Sequence, residues 1–368
     1  MLANYSNSSS ASLPRPSREL LSQRAAFFRQ WLLPWALAVA ALANLAYPVY
    51  RHYDFSYSPD TRSYLRMATG RFDSVSITRR YRVLVPAVAA TLAAPITRSY
   101  GHIWPARAGG LWPLRFTFYL VNCLLLGAAG TCWFNASRLA GASTGAAALA
   151  MLALLTSRWA AYEAGLPLTD SLYALVFGLG YYAFWRGAGA SWAVAAALLI
   201  GPLAKESFIF LLPWLLWYGR RALPLSRQLP ILVAGFGALF TVHWLIDSHI
   251  GAPATESVTN ALSHLENIRY SLHRAFSLKG MGELVSIFGL YIFILPVAFW
   301  RARTLLPSAR WHTSLGTAEL LLLAVVVIHM LLSGDLGRMG YLAAPVTCTA
   351  LALVFTHSRQ LINSATKT

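Results

Sequence analysis

Acidic side chains are scarce in this sequence, in which 13 aspartates and glutamates stand against 30 lysines and arginines. Charged residues make up only 12% of the chain and hydrophobic residues 57%, whereas a soluble domain carries about 25% charged residues. This composition excludes an ordinary soluble protein. The net charge of +17 would indicate nucleic acid as the partner of a soluble protein. Here the arginines cluster at the ends of apolar runs, where lipid phosphates lie, so we expect a membrane partner and no nucleic-acid partner.

Several motifs of soluble and secreted proteins are missing as well. The polar segment 1–30 lacks a hydrophobic stretch followed by a small-residue cleavage site, so no removable signal peptide is predicted. No Gly-rich phosphate loop and no Ser-centred nucleophile elbow occur, which argues against a nucleotide-binding domain and a standard hydrolase. The three cysteines lie in apolar runs without paired metal-ligand spacing, so we expect them to be packing residues. They are Cys123, Cys132 and Cys348.

Long uncharged apolar runs dominate what the chain does contain. A membrane-spanning helix needs about 20 apolar residues, and shorter spans are tolerated inside a bundle. About ten runs fit this criterion. They are 31–50, 116–137, 141–157, 171–185, 187–204, 207–219, 228–246, 284–300, 313–334 and 339–356. The predicted fold class is therefore all-α: a polytopic transmembrane helix bundle over 31–356, with polar tails at 1–30 and 357–368.

One further run, 83–97, decides on which side of the membrane each loop lies. It is uncharged but short and contains Pro86 and Pro95, so we expect it to lie along the outer surface or to dip into it. Most lysines and arginines outside the first loop then fall on the side of the amino terminus, as the positive-inside rule requires. The predicted topology has both termini in the cytoplasm and a long first outer loop at 51–115.

The first outer loop contains an acid with two equally supported interpretations. In YSPDTRSYLRMATGRF, which begins at Tyr57, Ser58 can cap a helix whose first residue is Pro59. Asp60 would then favour the helix dipole. The alternative is that Asp60 is a functional carboxylate.

Arginine is unusually frequent in the same loop. Seven arginines lie between residues 51 and 82, which is more than expected in an outer loop of a chain that otherwise obeys the positive-inside rule. Anchoring to anionic headgroups accounts for several of them. The run TRRYR at 78–82 favours at least one phosphate ligand, because guanidinium groups match phosphate oxygens.

Other ionisable residues at predicted helix boundaries fall on the same outer side, which predicts a single external site. They are Asp170, Lys205, Glu206, Asp335 and Arg338. Each has a structural alternative. Asp170 stands where an ordinary N-cap would, Lys205 and Glu206 can be solvated at a hairpin tip, and Asp335 and Arg338 can form a surface ion pair.

Five short motifs, taken together, resemble one enzyme superfamily. The ordered set PDTRSYLRMATG, YRVLVP, LTDSL, LAKESFIFLLPW and GDLGRMGYLAAP resembles the GT-C membrane glycosyltransferases, and most closely the lipid A aminoarabinose transferase and protein mannosyltransferase type. The resemblance implies transfer of a sugar from a polyprenyl-phosphate carrier to an acceptor at the outer face of a bacterial inner membrane.

The resemblance also implies roles for individual residues. The essential first-loop acid corresponds to Asp60, the second outer-loop acid to Asp170, and the basic residue that starts a later apolar run to Lys205. Juxtamembrane helices of the first loop correspond to 60–68 and 83–97. Many members carry a second acid near the first, but here Thr, Arg and Ser follow Asp60. A divalent metal therefore lacks that support, no metal ligand is assigned, and the cofactor stays unassigned.

The expected chemistry uses the charged residues in two roles. Asp60 is the expected catalytic general base for the acceptor hydroxyl, and one displacement inverts the anomeric centre. Cations hold the departing phosphate, so no general acid is needed. The expected substrate-binding residues are Arg82, Asp170, Lys205, Glu206, Asp335 and Arg338.

Two other functions remain open at this point. A transporter or flippase of a lipid-linked anionic substrate would also use external arginines, but it predicts charges at mid-membrane depth. The internal candidates for such charges are Glu319, His243 and His329. A polysaccharide polymerase also uses arginine-rich outer loops. The sugar, the acceptor, the carrier lipid and the oligomeric state are not specified by the sequence.

Overall fold

A computed structural model of the protein describes residues 25–107, 109–251, 257–305 and 315–365. Within these ranges the regular secondary structure is entirely helical and no strands occur, so the predicted all-α class is confirmed there. Most of the predicted tail 1–30 lies outside them. The predicted tail after 356 is described as far as Ala365, where it continues the last helix rather than leaving it.

The α-helices are, in chain order, α1 Leu33–His52, α2 Pro59–Ala68, α3 Ile77–Arg80, α4 Leu84–Ile103, α5 Trp112–Leu139, α6 Thr144–Leu155, α7 Arg158–Gly165, α8 Asp170–Arg186, α9 Ser191–Ala204, α10 Phe208–Gly219, α11 Leu225–Ile250, α12 Ser257–Ala275, α13 Leu278–Phe288, α14 Tyr291–Leu305, α15 Thr317–Ser333, α16 Leu336–Gly340 and α17 Ala344–Ala365.

Helix α5 forms the centre of the bundle. Helices α1, α4, α6, α7, α8 and α17 all pack against it. Its buried side chains include Phe118, Leu126 and Trp133. A Cβ atom at Gly127 would lie 2.6 Å from Val39 Cγ2, so glycine at this position allows α1 and α5 to approach closely. The hydrophobic core is therefore the interior of the helix bundle.

The number of membrane spans is lower than predicted among the described residues. Five helical segments are long and apolar enough to cross a membrane, or up to seven if each of two bent pairs counts as one span. The predicted spans 207–219 and 313–334 correspond to helices of only 12 and 17 residues. Two other predicted spans fall within one continuous apolar segment, Asp170–Ala204. The count of about ten spans is therefore not confirmed.

Apolar side chains on the outside of the bundle agree with a membrane environment. Helix α11 leaves Val233, Phe240 and Trp244 between 67% and 71% exposed. A helix that crosses a bilayer presents such residues to lipid rather than to water. The length of the apolar helices and these exposed side chains are typical of an integral membrane protein.

A bend between α6 and α7 shapes the end of the bundle where α8 begins. The predicted span 141–157 ends at Leu155, and the chain turns by 66° before α7. Ser157 caps α7, because its Oγ accepts a hydrogen bond from Ala160 N at 3.3 Å. Helix α7 then packs against α1 and α16 and leads into α8. The predicted span therefore contains one helix of only 12 residues, and a second short helix follows it.

Both helices predicted in the first outer loop are present, with different lengths. Helix α2 begins at Pro59, and its buried side chains include Tyr64 and Leu65, so it packs on the bundle. The run predicted at 83–97 belongs to the longer helix Leu84–Ile103, which contains Pro95. This helix packs against α2 and α5. It does not meet the criterion for a membrane span.

Candidate functional site

All seven residues predicted for the site lie at one end of the bundle, although they come from separate parts of the chain. We call this region the charged end. The contributing positions are Asp60 on α2, Arg82 after α3, Asp170 at the start of α8, Lys205 and Glu206 after α9, and Asp335 and Arg338 at α16. Ion pairs join five of them into one network, and Arg82 and Glu206 form a second pair beside it.

Asp60 accepts hydrogen bonds from two arginines. Its Oδ1 atom bonds to Arg79 Nε, and its Oδ2 atom lies 2.5 Å from Arg338 NH1. Burial alone would raise the pKa of this carboxyl, but the charges and hydrogen bonds of Arg338 and Arg79 outweigh burial and hold the pKa well below its usual range. The cap of α2 is provided by Ser58, whose Oγ accepts from Thr61 N at 3.4 Å. The Asp60 carboxylate therefore has contacts that capping does not explain.

Asp170 and Lys205 form a buried ion pair. Lys205 Nζ lies 3.0 Å from Asp170 Oδ1 and 3.0 Å from Met339 Sδ, and Arg338 NH1 lies 3.5 Å from Asp170 Oδ2. The Asp170 and Lys205 side chains are 5% and 8% exposed. Thr169 occupies the N-cap position of α8, and no side-chain cap bond forms there. The interpretations of Asp170 as an ordinary N-cap and of Lys205 as a solvated residue are therefore wrong.

Asp335 orients Arg338 through two contacts. Asp335 Oδ1 accepts from Arg338 N at 3.0 Å, which caps α16, and Asp335 Oδ2 lies 3.2 Å from Arg338 Nε. The ion pair considered as the alternative for these two residues is present, but it is not an ordinary surface pair, because Arg338 is 16% exposed and also pairs with Asp60 and Asp170. A Cβ atom at Gly337 would lie 1.9 Å from Trp159 Cζ2, so glycine is required for α16 to lie against α7. Trp159 itself is fixed by a 3.1 Å hydrogen bond from Nε1 to Ser286 Oγ.

Arg82 connects the first loop to the turn between α9 and α10. Its Nε and NH2 atoms donate to Glu206 Oε2 at 3.2 and 3.1 Å. Its NH1 atom donates to the Tyr64 hydroxyl at 3.2 Å. Glu206 is 38% exposed, in agreement with its predicted place at a hairpin tip. Arg82 is therefore held by one partly exposed acid and one buried phenol.

Tyr81 anchors the arginine run to α11. Its hydroxyl donates to Asp247 at 2.8 Å to Oδ1 and 3.0 Å to Oδ2. Its ring stacks on His243 with the ring centroids 3.4 Å apart. Burial and the Asp247 carboxylate raise the pKa of Tyr81 to about 12, so the phenol stays protonated and remains a donor near neutral pH. These contacts fix the segment that contains Arg79 and Arg82.

Sequence reasoning missed two residues at this end. Arg79 was part of the noted TRRYR run, but no local signal distinguishes it from its neighbours as the partner of Asp60. Glu163 on α7 is buried, and neither of its carboxyl oxygens has a hydrogen-bond partner among the described residues. An acid inside the apolar stretch RWAAYEAGLPL was the available signal, because such residues are costly to bury.

Two residues considered for a transport function have structural partners. Glu319 accepts a hydrogen bond from Gly316 N at 2.8 Å and so helps to cap the start of α15. His329 Nε2 lies 2.7 Å from the Tyr173 hydroxyl, and His329 Nδ1 lies 2.8 Å from the Val325 carbonyl oxygen. The third such residue, His243, stacks on Tyr81. Glu319 Oε1 and His243 Nε2 are buried without a hydrogen-bond partner among the described residues.

The described residues contain no group of three or more His, Cys, Asp or Glu side chains arranged to hold a metal ion. The ion pairs of the charged end consist of carboxylates and cations, and guanidinium groups suit phosphate oxygens. No protein family model, no curated protein and no solved structure matches the chain.

Proposed function

We propose that the protein is a membrane glycosyltransferase that moves a sugar from a polyprenyl-phosphate carrier to an acceptor. The observation that carries this proposal is the convergence of Arg79 and Arg338 on the partly exposed Asp60 carboxylate at one end of an apolar bundle, with the Arg82–Glu206 pair beside them. Charged residues near lipid are costly, so such a cluster in a membrane protein is a candidate functional site. The proposed setting is the outer face of a bacterial inner membrane, with about ten spans and both termini in the cytoplasm.

The surroundings of the cluster favour an amphiphilic donor. Helix α4 starts just after Arg82 and leaves Val88 and Leu92 exposed, 46% and 38% respectively. A polyprenyl chain needs apolar surface beside the site that binds its phosphate, and α4 supplies such surface next to the arginines. A water-soluble sugar nucleotide has no apolar chain that would bind to this surface.

The proposed reaction is a single displacement at the anomeric carbon. The acceptor oxygen forms a bond to that carbon while the bond from carbon to the phosphate oxygen breaks, and the electron pair leaves with the phosphate. Asp60 takes the proton of the acceptor hydroxyl, and the arginines stabilise the added charge on the phosphate. The configuration at the anomeric carbon inverts.

Asp170, Lys205, Glu206 and Asp335 act in this proposal through the arginines. The buried Asp170–Lys205 pair and Asp335 hold Arg338 in place, and Glu206 does the same for Arg82. The rival function, a transporter or flippase, predicts charges at mid-membrane depth. Of its candidates, Glu319 and His329 form the structural contacts described above, and His243 stacks on Tyr81. A polysaccharide polymerase also transfers a sugar, with a glycan as the acceptor, so the acceptor panel below includes glycans.

A transfer assay with the purified protein in lipid nanodiscs tests the proposal. Polyprenyl phosphates that carry different sugars are offered with lipid, peptide and glycan acceptors, and mass spectrometry detects the product. We expect a glycosidic product that falls by roughly a hundredfold or more in Asp60→Asn, because asparagine cannot accept the proton. Arg62→Ala is the matched control, since Arg62 is exposed on the same helix and should leave turnover unchanged.

Two results would contradict the proposal. One is movement of the lipid-linked sugar across proteoliposomes without any glycosidic bond formed, which would favour a flippase. The other is near-normal turnover in Asp60→Asn, which would remove Asp60 from the catalytic step.

A further inference from the structure

The resting arrangement of the charged end conflicts with its proposed use. A general base needs a moderate proton affinity, which requires that cations do not hold its oxygens. Both oxygens of Asp60 instead accept hydrogen bonds, one from Arg79 and one from Arg338. The same arginines are needed for the leaving phosphate. Asp60 and the phosphate therefore compete for the same donors.

Exposure decides which cations a ligand can reach. The Arg79 side chain is 29% exposed and that of Arg338 16%, whereas that of Lys205 is only 8% exposed and its ammonium contacts Asp170. Lys205 is thus enclosed. Arg79 and Arg338 meet on one carboxylate that is itself 15% exposed, so the carboxylate lies at the accessible side of the network.

We propose that Arg79 and Arg338 form the binding site for the phosphate group of the lipid donor, and that the Asp60 carboxylate occupies this site until the donor displaces it. This inference rests on the proposed function. Carboxylate and phosphodiester oxygens accept hydrogen bonds from guanidinium groups in similar geometry, and each group carries one negative charge over two free oxygens. The lipid chain of the donor adds apolar contacts that Asp60 lacks. The donor can therefore replace Asp60 between the two arginines.

Both arginines keep a second contact when Asp60 leaves. Arg79 NH1 donates to Ser76 Oγ at 2.9 Å. Arg338 lies 3.2 Å from Asp335 and 3.5 Å from Asp170. The two guanidinium groups are thus held in position by residues other than Asp60. The site is prepared for an anion.

Displacement links donor binding to activation of the base. Once its two cations turn to the phosphate, Asp60 loses the contacts that lower its pKa, so its affinity for a proton increases. Donor binding then precedes proton transfer from the acceptor. Without a donor the carboxylate stays paired and is a poor base.

Binding of a polyprenyl monophosphate without a sugar tests this inference directly, because the measurement requires no transfer. Affinity is measured in nanodiscs by native mass spectrometry. We expect Asp60→Asn to bind the probe about tenfold more tightly, since the competing carboxylate is gone. Arg79→Ala and Arg338→Ala should each bind it about tenfold more weakly.

Two matched controls separate displacement from general electrostatics. Asp73→Asn removes one negative charge from an exposed position of the same loop, so we expect less than about a threefold change. Arg62→Ala removes an exposed arginine of α2 and should not alter affinity. Thermal unfolding in the same nanodiscs shows whether each variant is folded.

The inference is overturned if Asp60→Asn binds the probe with equal or lower affinity, because the carboxylate would then only hold the arginines in place. Equal tightening in Asp73→Asn would also overturn it, since net charge alone would explain the effect. Its failure is distinguishable from failure of the proposed function. Transfer with no tightening in Asp60→Asn removes the displacement step alone, whereas tightening without any transfer removes the transferase.

Discussion

The buried ion pair of Asp170 and Lys205 predicts a loss of stability in Lys205→Met that can be measured without any substrate. In Lys205→Met the side chain keeps nearly its length, but Asp170 Oδ1 loses the ammonium that lies 3.0 Å away. Breaking a buried pair from one side typically costs about 3 to 5 kcal/mol, because a charge stays buried without its partner. Arg338 remains 3.5 Å from Asp170 Oδ2, so we expect the lower end, about 3 kcal/mol.

The free energy of unfolding, measured by SDS titration in mixed micelles, checks this value. Lys279→Met is the matched control, because Lys279 is exposed and its replacement should change stability by less than about 0.5 kcal/mol. Asp170→Asn combined with Lys205→Met should recover most of the loss, since neither charge then remains unpaired. Unchanged stability in Lys205→Met alone would refute the argument from burial.

Three further predictions follow from the same contacts. Gly337→Ala should separate α16 from Trp159 and lower the rate of sugar transfer more than tenfold, in line with the effect of small misplacements at an active site. A circular dichroism spectrum like that of the parent protein shows that the variant is folded. Normal turnover would contradict the predicted clash. The pKa of Asp60 is lowered in the folded protein, so its contribution to stability is complete above the unfolded carboxyl pKa of about 3.9 and is lost as pH falls toward the folded pKa. The difference in unfolding temperature between the parent and Asp60→Asn should therefore shrink from about pH 6 to about pH 3. A constant difference would argue against the ion pairs. A cysteine that replaces Gly334 should react with an impermeant thiol reagent from outside intact cells, and a cysteine that replaces Leu225 should not. Background labelling should be low, because the native cysteines are buried. The reverse labelling pattern would contradict the predicted topology.

Local signals in the sequence predicted much of the fold correctly. The apolar runs indicated helices, and Ser58 followed by Pro59 marked the start of α2 to the residue. These signals act within one run or one helical turn, so a single sequence contains them in full. The span count was less accurate, because run length alone does not show where a helix bends or stops. The 66° turn before α7 is an example.

Charge at helix boundaries also identified which residues would gather. An ionisable side chain beside an apolar run is costly unless it faces water or a partner, so these positions stand out in an apolar chain. Residue type could not assign the partners. Asp170 and Lys205 each had a plausible local role at the surface, and only packing shows that they are buried together.

The sequence by itself determined that the chain is helical and apolar enough for a membrane, where α2 begins, and which charged residues are candidates for a site. Tertiary structure alone decided that Arg79 and Arg338 share Asp60, and that the Glu163 carboxyl is buried beside this network with no hydrogen-bond partner in the part of the chain that the structure describes. Asp60 and Arg338 are 278 residues apart in the chain. Their contact depends on how α2 and α16 are placed by the rest of the bundle, because no local preference of either residue specifies a partner at that distance.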